Sequence, residues 1–176
     1  AEIASRFLTL AVAPDAAAAL LPDGLERLQA LIGGIGTSEI ETVTICVSVE
    51  HLAHLPPLAG LISVDDAFYS MVSRDYLPDA HYRGFAFHFP GGELDADSQL
   101  DRVCRALGIG SGQIEGSIRV TNRLPALRAG HQGLMQEIDG ALAGGRLAIT
   151  GNWFLGVSIE DCLTRSHQEY ERLFAG

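Results

Sequence analysis

The sequence predicts an α+β fold, with some α/β character, in which a strand-to-helix unit accompanies a separate sheet. Three observations lead to this prediction. An apolar strand runs into a helix near Pro14, a central stretch alternates apolar and polar residues, and a turn with glycines joins a late strand to the last helix. The chain has 176 residues, 47% of them hydrophobic, which suffices for one ordinary domain or two partial ones.

The first part of the chain predicts a strand, two helices and a second strand, over residues 6–13, 16–21, 25–32 and 40–49. Pro14 ends the first strand, and the glycines at 33 and 34 end the second helix. The second strand alternates strictly, which is typical of a strand with one buried face. Its apolar face carries Val43, Ile45, Val47 and Val49.

The middle of the chain predicts two more strands at 68–73 and 83–89, which we expect to pair in one antiparallel sheet. A Pro-rich loop precedes them. An amphipathic helix at 96–107 and a strand at 115–122 follow them. The remaining elements are a helix at 131–143, a short strand at 146–150 and a helix at 158–174. The last helix has an apolar stripe of Ile159, Cys162, Leu163, Tyr170, Leu173 and Phe174.

Charge and composition exclude several classes of function. The net charge is −10, from 22 acidic and 12 basic residues, and no basic patch is present, so a nucleic-acid partner is not expected. No apolar stretch reaches the roughly 18 residues that a membrane-spanning helix needs, although peripheral membrane contact stays open. Cys46, Cys104 and Cys162 are too far apart for a zinc site and odd in number, so we predict no metal and a reducing, cytoplasmic location.

The segment 146–165 carries the chemistry: a strand, a glycine turn, an aromatic loop and a helix that begins at Ser158. Ser158 and Asp161 approximate a capping box, and Gly156 allows close approach of the backbone to an electron-rich group. A helix N-terminus attracts an anionic or carbonyl-bearing ligand. The alternative is an ordinary strand-to-helix turn with a good cap, and spacing alone favours that alternative.

Residues 150–152 (TGN), followed by 156–162 (GVSIEDC), resemble the C-terminal flavin motif of the protoporphyrinogen oxidase branch of the flavin amine oxidase superfamily. The resemblance implies that Gly151 and Asn152 meet the diphosphate or ribityl part of FAD. It places the backbone of Gly156, Val157 and Ser158 at the isoalloxazine. Trp153 either borders the flavin or fills the turn.

Two further segments resemble the same family, residues 123–131 ahead of the turn and residues 8–21 at the start of the chain. The resemblance implies part of an FAD-binding Rossmann-like domain together with the mixed or antiparallel sheet of a substrate domain. It assigns residues 1–21 and 123–176 to FAD binding and residues 22–122 to the substrate domain.

The resemblance implies an FAD-dependent oxidoreductase that oxidises a small organic substrate by hydride transfer to flavin. Amine oxidases proper often have an aromatic residue at the position of Val157, so a bulky apolar or porphyrin-like substrate is favoured slightly over an amine. The predicted wall of the substrate cavity consists of Tyr69, Met71, Phe85 and Phe87. No catalytic residue is assigned.

The chain lacks the strand-linked G-x-G-x-x-G that grips FAD in this family. It also begins at Ala1 without an initiator Met, so we expect a fragment or a processed subunit. Its expected partner is an N-terminal FAD-binding segment, on the same protein or on a separate chain, without which it should be inactive. The alternative is a non-catalytic α+β module for binding or assembly that derives from the flavoprotein fold.

Overall fold

The computed structural model describes residues 4–75, 77 and 79–174, and the chain divides into two compact units. Unit 1 joins the two ends of the chain, up to Thr37 and from Pro125 onward, and unit 2 is Ser38–Leu124. The α+β class predicted from the sequence is confirmed, since parallel and antiparallel strands occur with five α-helices in the described part.

Unit 1 contains two short strands and four helices. Its elements are β1 (Leu8–Leu10), α1 (Pro14–Leu20), α2 (Glu26–Gly33), α4 (His131–Leu142), β7 (Leu147–Ile149) and α5 (Ile159–Phe174). β1 and β7 pair in parallel, with Leu8 opposite Leu147 and Leu10 opposite Ile149. The core between the helices and this ribbon is built on fully buried residues from both ends of the chain, including Ile32, Ile138, Ile149 and Trp153.

The boundary between the units differs from the predicted one. The sequence placed residues from 22 onward with the substrate sheet, whereas the structure groups the chain up to Thr37 with unit 1. The reason is α2, which packs on α1 and α4 and buries Leu28 and Ile32 in the core of unit 1. The assignment of the two units to FAD binding and to substrate binding stays a prediction.

Unit 2 contains five strands and one α-helix among the residues described: β2 (Thr37–Ser48), β3 (Gly60–Ile62), β4 (Ser70–Ser73), β5 (Tyr82–Pro90), α3 (Ala96–Leu107) and β6 (Ile114–Pro125). The strands form one sheet in the order β3-β4-β5-β2-β6. β4 pairs with β5 in antiparallel fashion, as predicted, and β5 pairs with β2 in the same sense. Short 3₁₀ turns lie at Val49–Leu52 and Ser111–Gln113.

One face of the sheet is covered by α3. The predicted helix 96–107 is confirmed, because Asp95 caps it by accepting the Ser98 N–H at 2.7 Å and Gly108 ends it with φ 66°. Val103 and Leu107 pack on an apolar face of β2 and β5 whose members are fully or almost fully buried. Val49, which was predicted on the same face of β2, instead lies in a 3₁₀ turn and is only partly buried. That face carries Val43, Ile45, Val47, Phe85, Phe87 and Phe89.

Two features differ from the sequence prediction. β3 lies at the end of the predicted Pro-rich loop, where its three residues pair with β4. The apolar stripe of α5 is not its buried face: Ile159, Leu163 and Tyr170 are 82%, 59% and 61% exposed, and the buried residues are Arg165 and Glu169. These two charged side chains are buried because they form hydrogen bonds with the backbone carbonyl and N–H of Ile149 at the edge of β7.

Candidate cofactor site

The turn between β7 and α5 is anchored at its first residue. Thr150 continues the parallel ribbon by donating its N–H to the Leu10 carbonyl at 3.0 Å. Its hydroxyl lies 2.8 Å from that of Ser166 on α5. The strand end, β1 and the helix are therefore tied together at the residue before Gly151.

The side chain of Trp153 leaves no room for a side chain at Gly151. This glycine has φ 156°, and a Cβ at this position would lie 2.7 Å from the Trp153 Nε1 and 2.9 Å from its Cδ1. A Cβ at such distances would force a shift in the backbone or the indole, so the turn requires glycine here.

Trp153 closes the turn from inside. Its side chain is fully buried, and its Nε1–H donates to the Val12 carbonyl at 3.0 Å. It stacks on Phe154 with 4.2 Å between ring centroids, and the Arg165 guanidinium lies 3.8 Å from the Phe154 centroid. Of the two roles predicted for Trp153, this geometry supports filling the turn rather than bordering a ligand.

The helix start predicted at Ser158 is capped reciprocally by Asp161. The Ser158 hydroxyl accepts the Asp161 N–H at 3.1 Å, and the Asp161 carboxylate accepts the Ser158 N–H at 3.2 Å and its hydroxyl at 2.6 Å. A Cβ on Gly156 would collide with this carboxylate, with the Asp161 Cγ only 2.8 Å away. The electron-rich group that Gly156 approaches is therefore Asp161 of the same chain.

The cap leaves two backbone donors open. Within the described part of the chain, the N–H groups of Ile159 and Glu160 have no hydrogen-bond partner, and both residues are exposed. Glu160 and Asp161 put two carboxylates in the first turn, which weakens its attraction for an anion. The site is thus better suited to a neutral carbonyl oxygen than to a phosphate.

The remaining predicted cofactor residues lie on the same loop. Asn152 is partly buried, and its side-chain amide has no hydrogen-bond partner among the residues described. Val157 is 65% exposed. The loop therefore offers a free amide, an exposed apolar side chain and two backbone donors.

No protein-family model matches the chain. The structure, however, superposes over 97% of its length on putrescine oxidase bound to putrescine, with a TM-score of 0.65 and 10% identity. A cyclohexylamine oxidase from Brevibacterium oxydans IH-35A matches over 97% of the chain with a TM-score of 0.59 and 11% identity. The fold is that of the flavin amine oxidases. The resemblance predicted from the sequence is confirmed at the level of the fold.

The chain spans only part of these proteins. It covers 43% of the putrescine oxidase chain and 42% of the cyclohexylamine oxidase chain. A protoporphyrinogen oxidase from Schizosaccharomyces pombe (strain 972 / ATCC 24843) is 36% identical over 55 residues, which make up 30% of this chain and 11% of that protein. The region shared with these relatives is therefore less than half of each of them.

The flavin amine oxidase fold implies FAD, and the turn after β7 fits it in part. The open N–H groups of Ile159 and Glu160 suit a ring carbonyl, and the amide of Asn152 is available to a polar chain. Gly151 and Gly156 do not add to this fit, because Trp153 and Asp161 fill the space beside them. The described residues of this turn therefore offer hydrogen-bond donors that suit a ring carbonyl but no phosphate grip.

The predicted cavity residues do not lie together on a surface. Met71, Phe85 and Phe87 are fully buried in the core of unit 2, where α3 covers them, and only Tyr69 is exposed, at 55%. In this structure the three buried residues form packing rather than a cavity wall. The amphipathic pattern of 96–107 could have indicated this burial, because the apolar side of that helix packs on the sheet face that carries these residues.

The opposite face of the sheet carries a polar cluster of Thr42, His88 and Asn122. The Thr42 Oγ1 lies 3.1 Å from the His88 Nδ1 and accepts the Asn122 Nδ2–H at 3.4 Å. Burial, and then the charge of Arg74, lower the pKa of His88 below its ordinary value. His88 lies on this face because it alternates along β5 with the buried Phe87 and Phe89.

Among the described residues, no group of three or more His, Cys, Asp or Glu side chains is arranged to hold a metal ion. Within the same residues, no helix combines the length and the apolarity needed to cross a membrane.

Proposed function

We propose that this chain is the part of an FAD-dependent oxidoreductase that closes the flavin site, and that a dinucleotide-binding segment completes the enzyme. The observation that carries the proposal is the superposition of 97% of the chain on putrescine oxidase, of which it covers 43%. The local similarity to a protoporphyrinogen oxidase supports the same class of enzyme.

The residues that would hold FAD are those of the turn after β7. The N–H groups of Ile159 and Glu160 would donate to a ring carbonyl, and the side-chain amide of Asn152 would meet the ribityl part. When bound, FAD would supply the acceptor for a hydride from a small organic substrate. The chain's own contribution is to orient the ring and keep the turn rigid through the buried Trp153.

The edge of β1 supports a strand from the dinucleotide-binding segment as the partner. Leu8 donates its N–H to Arg146 O and Leu10 accepts from Thr150 N–H, so both face β7. In a parallel pair the intervening residue, Thr9, then directs its N–H and C=O outward. Parallel sheets rarely consist of two strands, because their backbone groups and faces need cover.

The other edge of the ribbon is already closed. The Arg165 Nε donates to the Ile149 carbonyl at 3.1 Å, and the Arg172 Nη2 donates to the Leu147 carbonyl at 2.6 Å. The Glu169 carboxylate accepts the Ile149 N–H at 3.3 Å. A further strand would therefore pair with β1 and not with β7.

The proposed substrate is a small organic molecule that is oxidised at a C–H bond. Val157 favours a bulky apolar or porphyrin-like substrate slightly over an amine. Putrescine, cyclohexylamine and protoporphyrinogen occur in the names of the similar proteins and describe those proteins. The exposed Val157 offers no aromatic surface to a substrate amine.

The proposal is tested by co-expressing the chain with its dinucleotide-binding segment and recording the visible spectrum of the purified material. We expect a yellow complex with flavin absorption bands and a chain that is nearly colourless when purified alone. Thr9→Pro should reduce the yield of the complex, since it removes the outward N–H, while Thr9→Ala should leave it unchanged. A colourless complex would instead support the non-catalytic module.

A further inference from the structure

A second candidate site lies in unit 2 and shares no residue with the turn after β7. It is a cavity of about 580 Å³, within the range of roughly 300 to 1,000 Å³ that is typical of small-ligand pockets. Its apolar wall consists of Leu55, Pro57, Leu58 and Ala59. Its polar side consists of Ser73, Asp75 and Arg83, from β4, the residues after it and β5.

Asp75 is fully engaged by its own chain. Its Oδ1 accepts the Gly84 N–H at 2.8 Å, and its Oδ2 accepts the Ser73 hydroxyl at 2.9 Å and the Arg83 Nε–H at 3.1 Å. Burial alone would raise the pKa of Asp75, but these hydrogen bonds and the Arg83 charge hold it below its ordinary value. Asp75 therefore remains ionised and has little capacity left for a ligand.

Arg83 is engaged on one side only. Its Nε–H binds Asp75, and its guanidinium lies 5.0 Å from the centroid of the Phe85 ring, which holds it in place. Among the residues that the structure describes, neither Nη atom of Arg83 has a hydrogen-bond partner. The side chain is only 16% exposed, so these donors lie in a partly desolvated position beside the apolar wall.

From this geometry we infer that the cavity binds a small carboxylate with an apolar body, the carboxylate on the Nη atoms of Arg83 and the body along Leu55, Pro57 and Leu58. The planar guanidinium fork matches a carboxylate in a bidentate manner. Asp75 neutralises the arginine locally, so charge alone does not retain a free anion. Both the carboxylate and the apolar body are needed for binding.

The test uses the whole 176-residue chain and octanoate as the probe, titrated by isothermal calorimetry. Two comparison molecules separate the contributions: 1-octanol has the tail without the carboxylate, and acetate has the carboxylate without the tail. We expect saturable binding of octanoate, and binding at least about tenfold weaker for each comparison molecule, as a lost charge-assisted hydrogen bond or lost apolar contact implies. Absence of octanoate binding, or equal binding of octanol, overturns the inference.

Two variants locate the site. Arg83→Lys keeps a positive charge beside Asp75 but removes the fork, and it should weaken octanoate binding by about tenfold. Ala59→Phe leaves the polar groups intact and fills the cavity from its exposed wall, so it should also weaken binding. The control is Arg105→Lys on α3, whose side chain is 59% exposed and which should bind octanoate normally.

The Ala59→Phe variant also keeps the test decisive if Arg83→Lys does not fold. Normal octanoate binding by a folded Arg83→Lys variant, or by Ala59→Phe, overturns the inference. Because the assay needs neither FAD nor a second chain, its outcome is independent of the proposed flavin function.

Discussion

Arg165 and Glu169, one turn apart on α5, form an ion pair of 2.9 Å whose side chains are only 4% and 6% exposed. The pair lies at the edge of β7 and binds both the carbonyl and the N–H of Ile149. Arg172 binds the same glutamate at 2.8 Å, and Asp139 binds Arg165 at 2.7 Å. Charged side chains thus occupy the position that a neighbouring strand would take.

Replacing Arg165 by alanine should destabilise the chain strongly. The change leaves Glu169 buried with Arg172 as its remaining cationic partner, and it frees the Ile149 carbonyl. We expect the free energy of unfolding to fall by about 3 kcal/mol, at the lower end of the range for a broken buried pair. Urea unfolding followed by circular dichroism measures this change.

The matched control is Arg27→Ala. Arg27 pairs with Glu137 at 3.9 Å, with side chains 79% and 58% exposed, and a pair of this kind contributes little. We expect a change of less than about 0.5 kcal/mol. Similar losses in Arg27→Ala and Arg165→Ala would show that the buried cluster does not hold α5 against β7.

This cluster also shows where the sequence was insufficient. The length of α5 was predicted well, but hydrophobic periodicity predicted its buried face wrongly, because periodicity takes no account of hydrogen-bonding groups at a strand edge. Apart from Glu169, the partners of Arg165 are the carbonyl of Ile149 and a carboxylate on α4, which only the folded chain brings together. In unit 2 hydrophobic periodicity predicted the buried face of β2 correctly at Val43, Ile45 and Val47. Apolar and polar residues alternate regularly there, and α3 covers the apolar side.

The candidate site was predicted in a similarly uneven way. The Ser158–Asp161 cap is local, so a stretch of four residues was enough to identify it. The anchor of Trp153 is the Val12 carbonyl, 141 residues away, and no local pattern signals such a contact. The sequence alone therefore could not show whether Trp153 or a ligand fills the space beside Gly151.

Gly151→Ala should destabilise unit 1 through Trp153. The new Cβ would lie 2.7 Å from the indole nitrogen, so either the indole or the backbone must move. We expect a loss of about 1–3 kcal/mol in the free energy of unfolding, as for overpacking of a core. Urea unfolding of the single variant measures it.

A double-mutant cycle with Trp153→Leu tests the cause. If the indole is the obstacle, Gly151→Ala should cost much less in the Trp153→Leu background, because the smaller side chain leaves room for the Cβ. Equal costs in the two backgrounds would assign the effect of Gly151 to its φ of 156° alone.

His88 should make the stability of the chain depend on pH. Its folded pKa lies below the ordinary value, because burial and the charge of Arg74 disfavour the charged ring. The unfolded chain therefore takes up the proton first, so the contribution of neutral His88 is present above about pH 6.5 and is lost as the pH falls toward the folded pKa.

The measurement is urea unfolding of the wild type and of His88→Gln between about pH 7.5 and about pH 5.5. This range spans the unperturbed histidine pKa of about 6.5. Glutamine can still bond to Thr42 but does not titrate. The wild type should lose more unfolding free energy across this range than the variant. Parallel curves would mean that His88 titrates alike in the folded and unfolded chain.

The open donors of α5 can be tested by a substitution that spares the helix. Ile159 is the first helical residue and is 82% exposed, so proline fits there without breaking an intrahelical bond or uncovering the core. Ile159→Pro removes the N–H, whereas Ile159→Ala removes the side chain and keeps the N–H. In the complex with the dinucleotide-binding segment, the proline variant should retain flavin about tenfold less tightly, as the loss of a hydrogen bond to a desolvated carbonyl implies.

The alanine variant should match the wild type, and flavin release followed by fluorescence distinguishes the two. If proline and alanine release flavin equally, the N–H of Ile159 does not contact the ring, and the role proposed for the helix N-terminus is wrong even if the complex is yellow.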